Sequence, residues 1–236
     1  MTALGLAVLD LAGTTVTDAG IVEDAFTHAV VREGVEEGGA RHDRMMRYVR
    51  DTMGESKITV FRHLFDGDEE TARRANSAFE EGYAQMVAAG RCAPLPGARE
   101  AIEELRAQGC AVVLNTGFSP RTRDDLLASL GWTGLADAVL SPADAGRGRP
   151  YPDMVLTALL RTGAPSVEAV AVVGDTPYDM RAGRAAGAGL VAGVLTGGQQ
   201  AEDLRAAGAD RVLGSVAELP ALVRESARVP RPATVS

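Results

Sequence analysis

The chain has 236 residues, 46% hydrophobic, 24% charged and only 4% aromatic, enough for one domain or two small ones. Acidic side chains outnumber basic ones 32 to 24, so the net charge of −8 argues against a phosphate-neutralising nucleic-acid surface, and any anion must be gripped locally. Cys92 and Cys110 make no disulfide framework and no apolar run reaches the roughly 20 residues of a bilayer span, so the expectation is a cytoplasmic protein without membrane or nucleic-acid partners.

The first apolar run, residues 4–9, stops at Asp10 and is followed by the small-residue turn LAGTTV. It lacks a basic n-region and is read as a buried strand, not a secretory signal. Residues 19–91 contain no convincing strand. Val22, Ala25, Phe26, Ala29 and Val30 lie on one helical face ending near Gly34, and Met45, Met46 and Val49 mark a second helix. A third is expected to start at Ser56 as N-cap, carrying Ile58, Phe61, Leu64 and Phe65, and a fourth to run from about Asp68 to Ala89. After the Pro94–Gly97 turn, Ala98, Ile102 and Leu105 begin a helix that leads into a strand at residues 110–115. Leu126, Leu127 and Leu130 give another helix, and strands follow at 138–140, 169–173, 190–194 and 211–213. The tail RVPRPATVS reads as loose.

Strands alternating with helices predict an α/β fold, a Rossmann-like doubly wound parallel sheet. The helical block breaks that rhythm and reads as an inserted cap over residues 18–91, with residues 1–17 and 92–236 forming the core. In such a sheet the site lies beyond the carboxyl ends of the strands, at residues 10–15, 116–119, 144–149 and 174–179. Asp10 ends the first strand, and Ala12, Gly13 and Thr14 are small enough to turn N–H groups toward an anion. Asp175 and Asp179 add carboxylates of the type that Mg2+ requires. Thr116 offers a hydroxyl beside Gly117, while Arg147 and Arg149 offer positive charge for a phosphoryl group.

One composition fact is sharper. Of the 24 basic residues, only Lys57 is a lysine. Coding bias toward arginine explains a leftover lysine, whereas function explains one whose amine loses its proton and attacks a carbonyl, which a guanidinium cannot do.

The ordered set DLAGTT, NTG, GRPYPDM and GDTPYD resembles the four motifs of the haloacid dehalogenase superfamily. The resemblance implies that Asp10 is a nucleophile forming an aspartyl-phosphate and that Thr116 holds phosphoryl oxygens, together with Gly13, Thr14, Gly117 and Arg149. It implies Mg2+ bound by Asp10, the Ala12 carbonyl and Asp175, with Asp179 supporting the metal from close by. Ala12 stands where most phosphatases of the superfamily carry a second aspartate, and Arg149 replaces the usual lysine. Both features, and Lys57 in the segment Met53-Gly54-Glu55-Ser56-Lys57, resemble the phosphonoacetaldehyde hydrolase branch. In that branch a cap lysine forms an imine and a carbon–phosphorus bond breaks. Met53, Gly54 and Phe118 would line the substrate pocket.

Two departures stand out. The branch typically carries a histidine three residues after its lysine and a tyrosine after the TG of the second motif, where this chain has Val60 and Phe118; His63 falls on another helical face. The expected substrate is phosphonoacetaldehyde or a related 2-oxoalkylphosphonate, the alternative a small phosphate monoester clamped by Lys57. A metal-free dehalogenase and a non-catalytic binder are further readings. The resemblance also makes a homodimer through the cap an expectation.

Overall fold

The computed structural model describes residues 3–228, and the tail read as loose lies, beyond Arg228, outside the described residues. Strand β1 (Leu6–Asp10) is followed by four helices, α1 (Ile21–Arg32), α2 (Ala40–Asp51), α3 (Lys57–Leu64) and α4 (Glu69–Ala88). Then come α5 (Ala98–Ala107), β2 (Ala111–Asn115), α6 (Pro120–Ser129), β3 (Ala138–Leu140), α7 (Pro142–Ala145) and α8 (Asp153–Thr162). The chain ends with β4 (Val170–Gly174), α9 (Pro177–Ala186), β5 (Leu190–Val194), α10 (Ala201–Ala206), β6 (Arg211–Leu213) and α11 (Leu219–Arg228).

All six strands are parallel, in the order β3-β2-β1-β4-β5-β6. Leu6, Ala7, Val8 and Leu9 are all fully buried because helices cover both faces of the sheet. Ala7 and Leu9 face an apolar cluster with Ile102, Leu105 and Leu219, while Leu6 and Val8 face one with Val155, Ala158 and Met180. The strand order reverses at β1, between β2 and β4, so a crevice opens beyond the carboxyl ends of those strands. The doubly wound reading is borne out, each expected strand lying within two residues of its place.

Between β1 and α5 the four helices pack on one another through aromatic rings. Phe26 of α1 meets Phe61 of α3 at 4.9 Å and Phe79 of α4 at 4.8 Å between centroids. Gly82 lets α4 close on α1, since a Cβ there would come within 2.9 Å of the His28 ring. Asp68 caps α4, accepting from the N–H groups of Glu70 and Thr71 at 3.1 and 3.2 Å. Ser56 sits at the N-cap of α3 as expected, but its hydroxyl makes no capping bond; α3 therefore opens on Lys57. Among the described residues no helix is long and apolar enough to cross a membrane.

Candidate active site

Asp10 ends β1 in the crevice, 4% exposed, and accepts a hydrogen bond from Arg149 Nη1 at 2.6 Å on Oδ1. The same Nη1 donates to Asp179 Oδ1, so one buried guanidinium ties the first strand's loop to the fourth's. Burial works against the Arg149 charge, yet Asp10 and Asp179 outweigh it and hold the group above its ordinary range. Burial in turn pushes the Asp10 carboxyl up to about 7; Arg149 opposes that rise and the Asp179 charge adds to it. Asp175 is raised well above the usual carboxylate range, first by burial and then by the charges of Asp10 and Asp179.

The turn after Asp10 differs from the expected anion cradle. Leu11 O accepts from the N–H groups of Thr14, Thr15 and Val16 at 3.2, 2.9 and 2.8 Å, and the Gly13 N–H goes to Val16 O at 2.8 Å. The N–H groups of Gly13 and Thr14 are thus spent on closing the turn. Thr14 is fully buried and donates its hydroxyl to Asp175 Oδ1 at 3.1 Å, behind the carboxylate and not on the cavity wall. Gly13, at φ +85°, packs so tightly on Asp175 that a Cβ would collide with the carboxylate. Arg147 also departs from expectation. It forms a two-pronged pair with Asp153 at 2.8 and 2.9 Å and stacks on Tyr151, with 58% of its side chain exposed, so only Arg149 serves the site.

Thr116, at the end of β2, gives its N–H to Leu140 O and accepts the Phe118 N–H on Oγ1 at 3.2 Å, while the Gly117 N–H takes no partner within this loop. Asp179 accepts from Thr176 Oγ1 at 2.6 Å in a capping box that starts α9. Thr116, Gly117 and Arg149 all line a cavity of about 430 Å3 that also contains Asp10, Ala12, Gly13 and Asp175.

Lys57, Met53 and Gly54 from the helical block, and Phe118 from the loop after β2, complete that cavity. Gly54, at φ +98°, lets the loop between α2 and α3 close on Thr176, since a Cβ there would stand 2.6 Å from Thr176 Oγ1. Lys57 is only 7% exposed, with its ammonium 5.6 Å from the Phe26 ring and 5.5 Å from the Phe118 ring. Burial, aided by the like charge of Arg149, lowers its pKa from 10.5 to about 8, although Asp18, Asp10 and Asp175 pull the other way. Its place as first residue of α3 acts in the same direction, because a helix N-terminus disfavours a cation. His63 stacks on Tyr48 at 3.8 Å and does not line the cavity.

Two parts of the wall were not anticipated. Asp18, in the turn before α1, lines the cavity, as does the Thr196–Gln199 loop after β5. Thr196 donates to Gly13 O at 2.6 Å, and Gly197 abuts the Asp175 carboxylate. The strand-end rule that picked out the other loops would have found this one; nothing in sequence marks Asp18.

The donor set fits a divalent cation. The Ala12 carbonyl accepts none of the turn's hydrogen bonds, Asp10 and Asp175 each accept a single side-chain hydrogen bond among the described residues, both on Oδ1, and their mutual repulsion is what a cation would relieve. Among the described residues no three His, Cys, Asp or Glu side chains form a cage by themselves. Two carboxylates and a carbonyl suit Mg2+, which keeps several waters.

A family model for haloacid dehalogenase-like hydrolases matches residues 4–187, which spans β1, the helical block and the loops bearing Asp10, Thr116, Arg149 and Asp175. The chain belongs to that family. Among its relatives, a phosphonoacetaldehyde hydrolase of Nitratidesulfovibrio vulgaris is 30% identical over 207 residues, 80% of this chain and 71% of that protein. A phosphonoacetaldehyde hydrolase of Pseudomonas fluorescens is 29% identical over 241 residues, 95% of this chain and 86% of that protein. The crystal structure of a phosphonoacetaldehyde hydrolase like protein from Oleispira antarctica superposes with a TM-score of 0.80 at 26% identity, covering 98% of this chain and 96% of that one. The chain is thus a haloacid dehalogenase-like hydrolase similar to phosphonoacetaldehyde hydrolases.

Proposed function

We propose that this hydrolase cleaves the carbon–phosphorus bond of phosphonoacetaldehyde or a related 2-oxoalkylphosphonate. The observation that carries the reading is the chain's single lysine, buried between two aromatic rings in the cavity that holds Asp10, with a pKa of about 8. At pH 7 such an amine is roughly 10% unprotonated, against less than about 0.1% for an ordinary lysine. That gain is what carbonyl attack needs.

Lys57 Nζ condenses with the carbonyl beta to phosphorus, water leaves, and the protonated imine serves as electron sink. Asp10 attacks phosphorus. As the Asp10 O–P bond forms, the C–P electron pair passes into the imine and the organic fragment remains as an enamine on Lys57. The enamine carbon then takes up a proton, and water releases the carbonyl product from Lys57 and phosphate from Asp10. Ala12 fits this chemistry, because a leaving carbon that departs as an enamine has no oxygen for an acid at that position to protonate. Arg149 and the Thr116–Gly117 turn offset the phosphonate charge as Asp10 approaches. Mg2+, held by Asp10, the Ala12 carbonyl and Asp175 with Asp179 nearby, supplies further charge neutralisation when bound.

The second reading is a phosphatase for small phosphate monoesters, favoured by the fact that a Lys57 with a pKa of about 8 remains mostly charged at neutral pH and so suits a phosphate clamp. Borohydride trapping separates the two. With Mg2+ and phosphonoacetaldehyde or phosphonopyruvate, the imine reading expects added mass on the Lys57 peptide, lost in Lys57→Arg together with phosphate release. Neither adduct nor phosphate from these phosphonates, with phosphate released from a monoester such as p-nitrophenyl phosphate at a rate mostly kept in Lys57→Arg, would establish the phosphatase instead.

A further inference from the structure

An imine cycle needs proton transfers at the Lys57 nitrogen, the departing oxygen and the enamine carbon. The positions where the resembled branch carries a histidine and a tyrosine are Val60 and Phe118, both buried and neither able to move a proton. Outside the cluster of Asp10, Asp175 and Asp179, two carboxyl groups line the cavity, Asp18 and Glu23. Glu23 is engaged by Arg50 at 3.0 Å. Asp18 is different. Its Oδ1 accepts the Val22 N–H at 3.2 Å, which holds the carboxyl at the start of α1, and Oδ2 makes no hydrogen bond among the described residues.

The backbone holds Asp18 in place. Ala19 and Gly20 take φ of 44° and 76°, and the Ile21 N–H closes the turn on Asp18 O at 2.9 Å. An alanine adopts that conformation only under strain, and strain kept at a cavity wall marks a place that the fold over-determines. Of the carboxylates acting on Lys57, Asp18 acts more strongly than Asp10 or Asp175. The charged groups facing it are Lys57 from α3 and Glu23 and Asp24 from α1, while Tyr83 of α4 and Cys92, between α4 and α5, feel its charge. Burial raises its carboxyl above the ordinary aspartate range, as suits a donor that must keep its proton, although the Val22 N–H and Lys57 oppose the rise.

We infer that Asp18 is the proton-transfer group of the Lys57 imine cycle, doing from the turn before α1 what the absent histidine and tyrosine would do from α3 and the β2 loop. The inference rests on the imine reading above. When Lys57 Nζ has bonded to the carbonyl carbon, the Asp18 acid protonates the carbinolamine hydroxyl. The C–O bond then breaks, water leaves, and the nitrogen lone pair closes the C=N bond. The Asp18 carboxylate so formed regains a proton from water, and after C–P cleavage it delivers that proton to the enamine carbon. This returns the iminium that water hydrolyses.

The test is the rate of borohydride-trapped adduct at Lys57 with phosphonoacetaldehyde and Mg2+, sampled over time at pH 7, in the wild type, Asp18→Asn and Asp18→Glu. Asparagine retains an oxygen for the Val22 N–H, so the turn is kept. A purely electrostatic Asp18 predicts faster adduct formation in Asp18→Asn, since removing its charge lowers the Lys57 pKa and frees more amine. Proton transfer predicts the opposite, a loss of tenfold or more, with part of the rate restored in Asp18→Glu. An Asp18→Asn rate equal to or above that of the wild type overturns the role of Asp18 and leaves the imine reading standing. Absence of any adduct in the wild type removes the imine reading, and the role of Asp18 with it.

Discussion

At the scale of single residues, the reactive groups are those the fold makes uncomfortable. Lys57 shows the sign of the effect. Its pKa falls from 10.5 to about 8 on folding, so the folded state resists the charge that the unfolded chain accepts. Below about pH 8 this costs stability, and between about pH 8 and 10.5 the unfolded chain holds a proton the folded one lacks, so stability recovers as pH rises. A shift of that size corresponds to about 3 kcal/mol. Lys57→Met keeps the apolar stem between Phe26 and Phe118 and removes the charge. It is expected to raise stability at pH 7 by up to about 3 kcal/mol in urea denaturation, less whatever Asp18 loses with its partner, while abolishing adduct formation. The gain should shrink as pH approaches 10.5; an equal or lower stability at pH 7 would show that the amine sits there without strain.

At the scale of elements, caps and turns decide which side chains face the crevice. Two N-caps make the comparison. Asp68 caps α4 on the exposed outer end of the helical block, and Thr176 caps α9 while also donating to Asp179, the partner of Arg149. Asp68→Ala is expected to lower stability and leave turnover unchanged. Thr176→Ala should cost about 1 kcal/mol and also reduce turnover, because Asp179 then holds Arg149 less firmly against Asp10. Equal turnover in both variants, measured alongside thermal melts, would show that the capping box serves the helix alone. This element logic also explains what the sequence made legible. Asp10, Thr116 and Asp175 could be placed because each follows a buried apolar run, and a strand end fixes where the next side chains go. Thr14 and Arg147 were misplaced because their spacing does not reveal that Leu11 O gathers three N–H groups, or that Asp153 lies within reach of Arg147. Asp18 carried no local signal at all. Its meaning arises only when α1 and α3 pack and bring it into the same cavity as Lys57.

At the scale of the whole molecule, one apolar cluster runs without interruption from the sheet into the helical block, and Phe118 is its junction. Its ring lies 4.6 Å from Tyr83 and 6.4 Å from Phe79, both on α4, and 5.5 Å from the Lys57 ammonium. One of the contacts that join the block to the sheet's loops is therefore also part of what keeps water from the amine, and packing and reactivity are coupled through that side chain. Phe118→Ala tests the coupling. Losing a buried phenylalanine costs about 3–5 kcal/mol. More tellingly, water admitted beside Lys57 relieves the desolvation that lowers its pKa. The midpoint for adduct formation should then move from about pH 8 toward the ordinary 10.5, slowing the reaction at pH 7 while sparing it at high pH. Phe118→Leu, which keeps most of the apolar volume, should leave the midpoint near 8 and so separate solvent exclusion from lost stability. A midpoint that stays near 8 in Phe118→Ala would mean that the remaining wall, Phe26 and Met53, dries the amine unaided and that closure of the block on the core has no part in setting its reactivity.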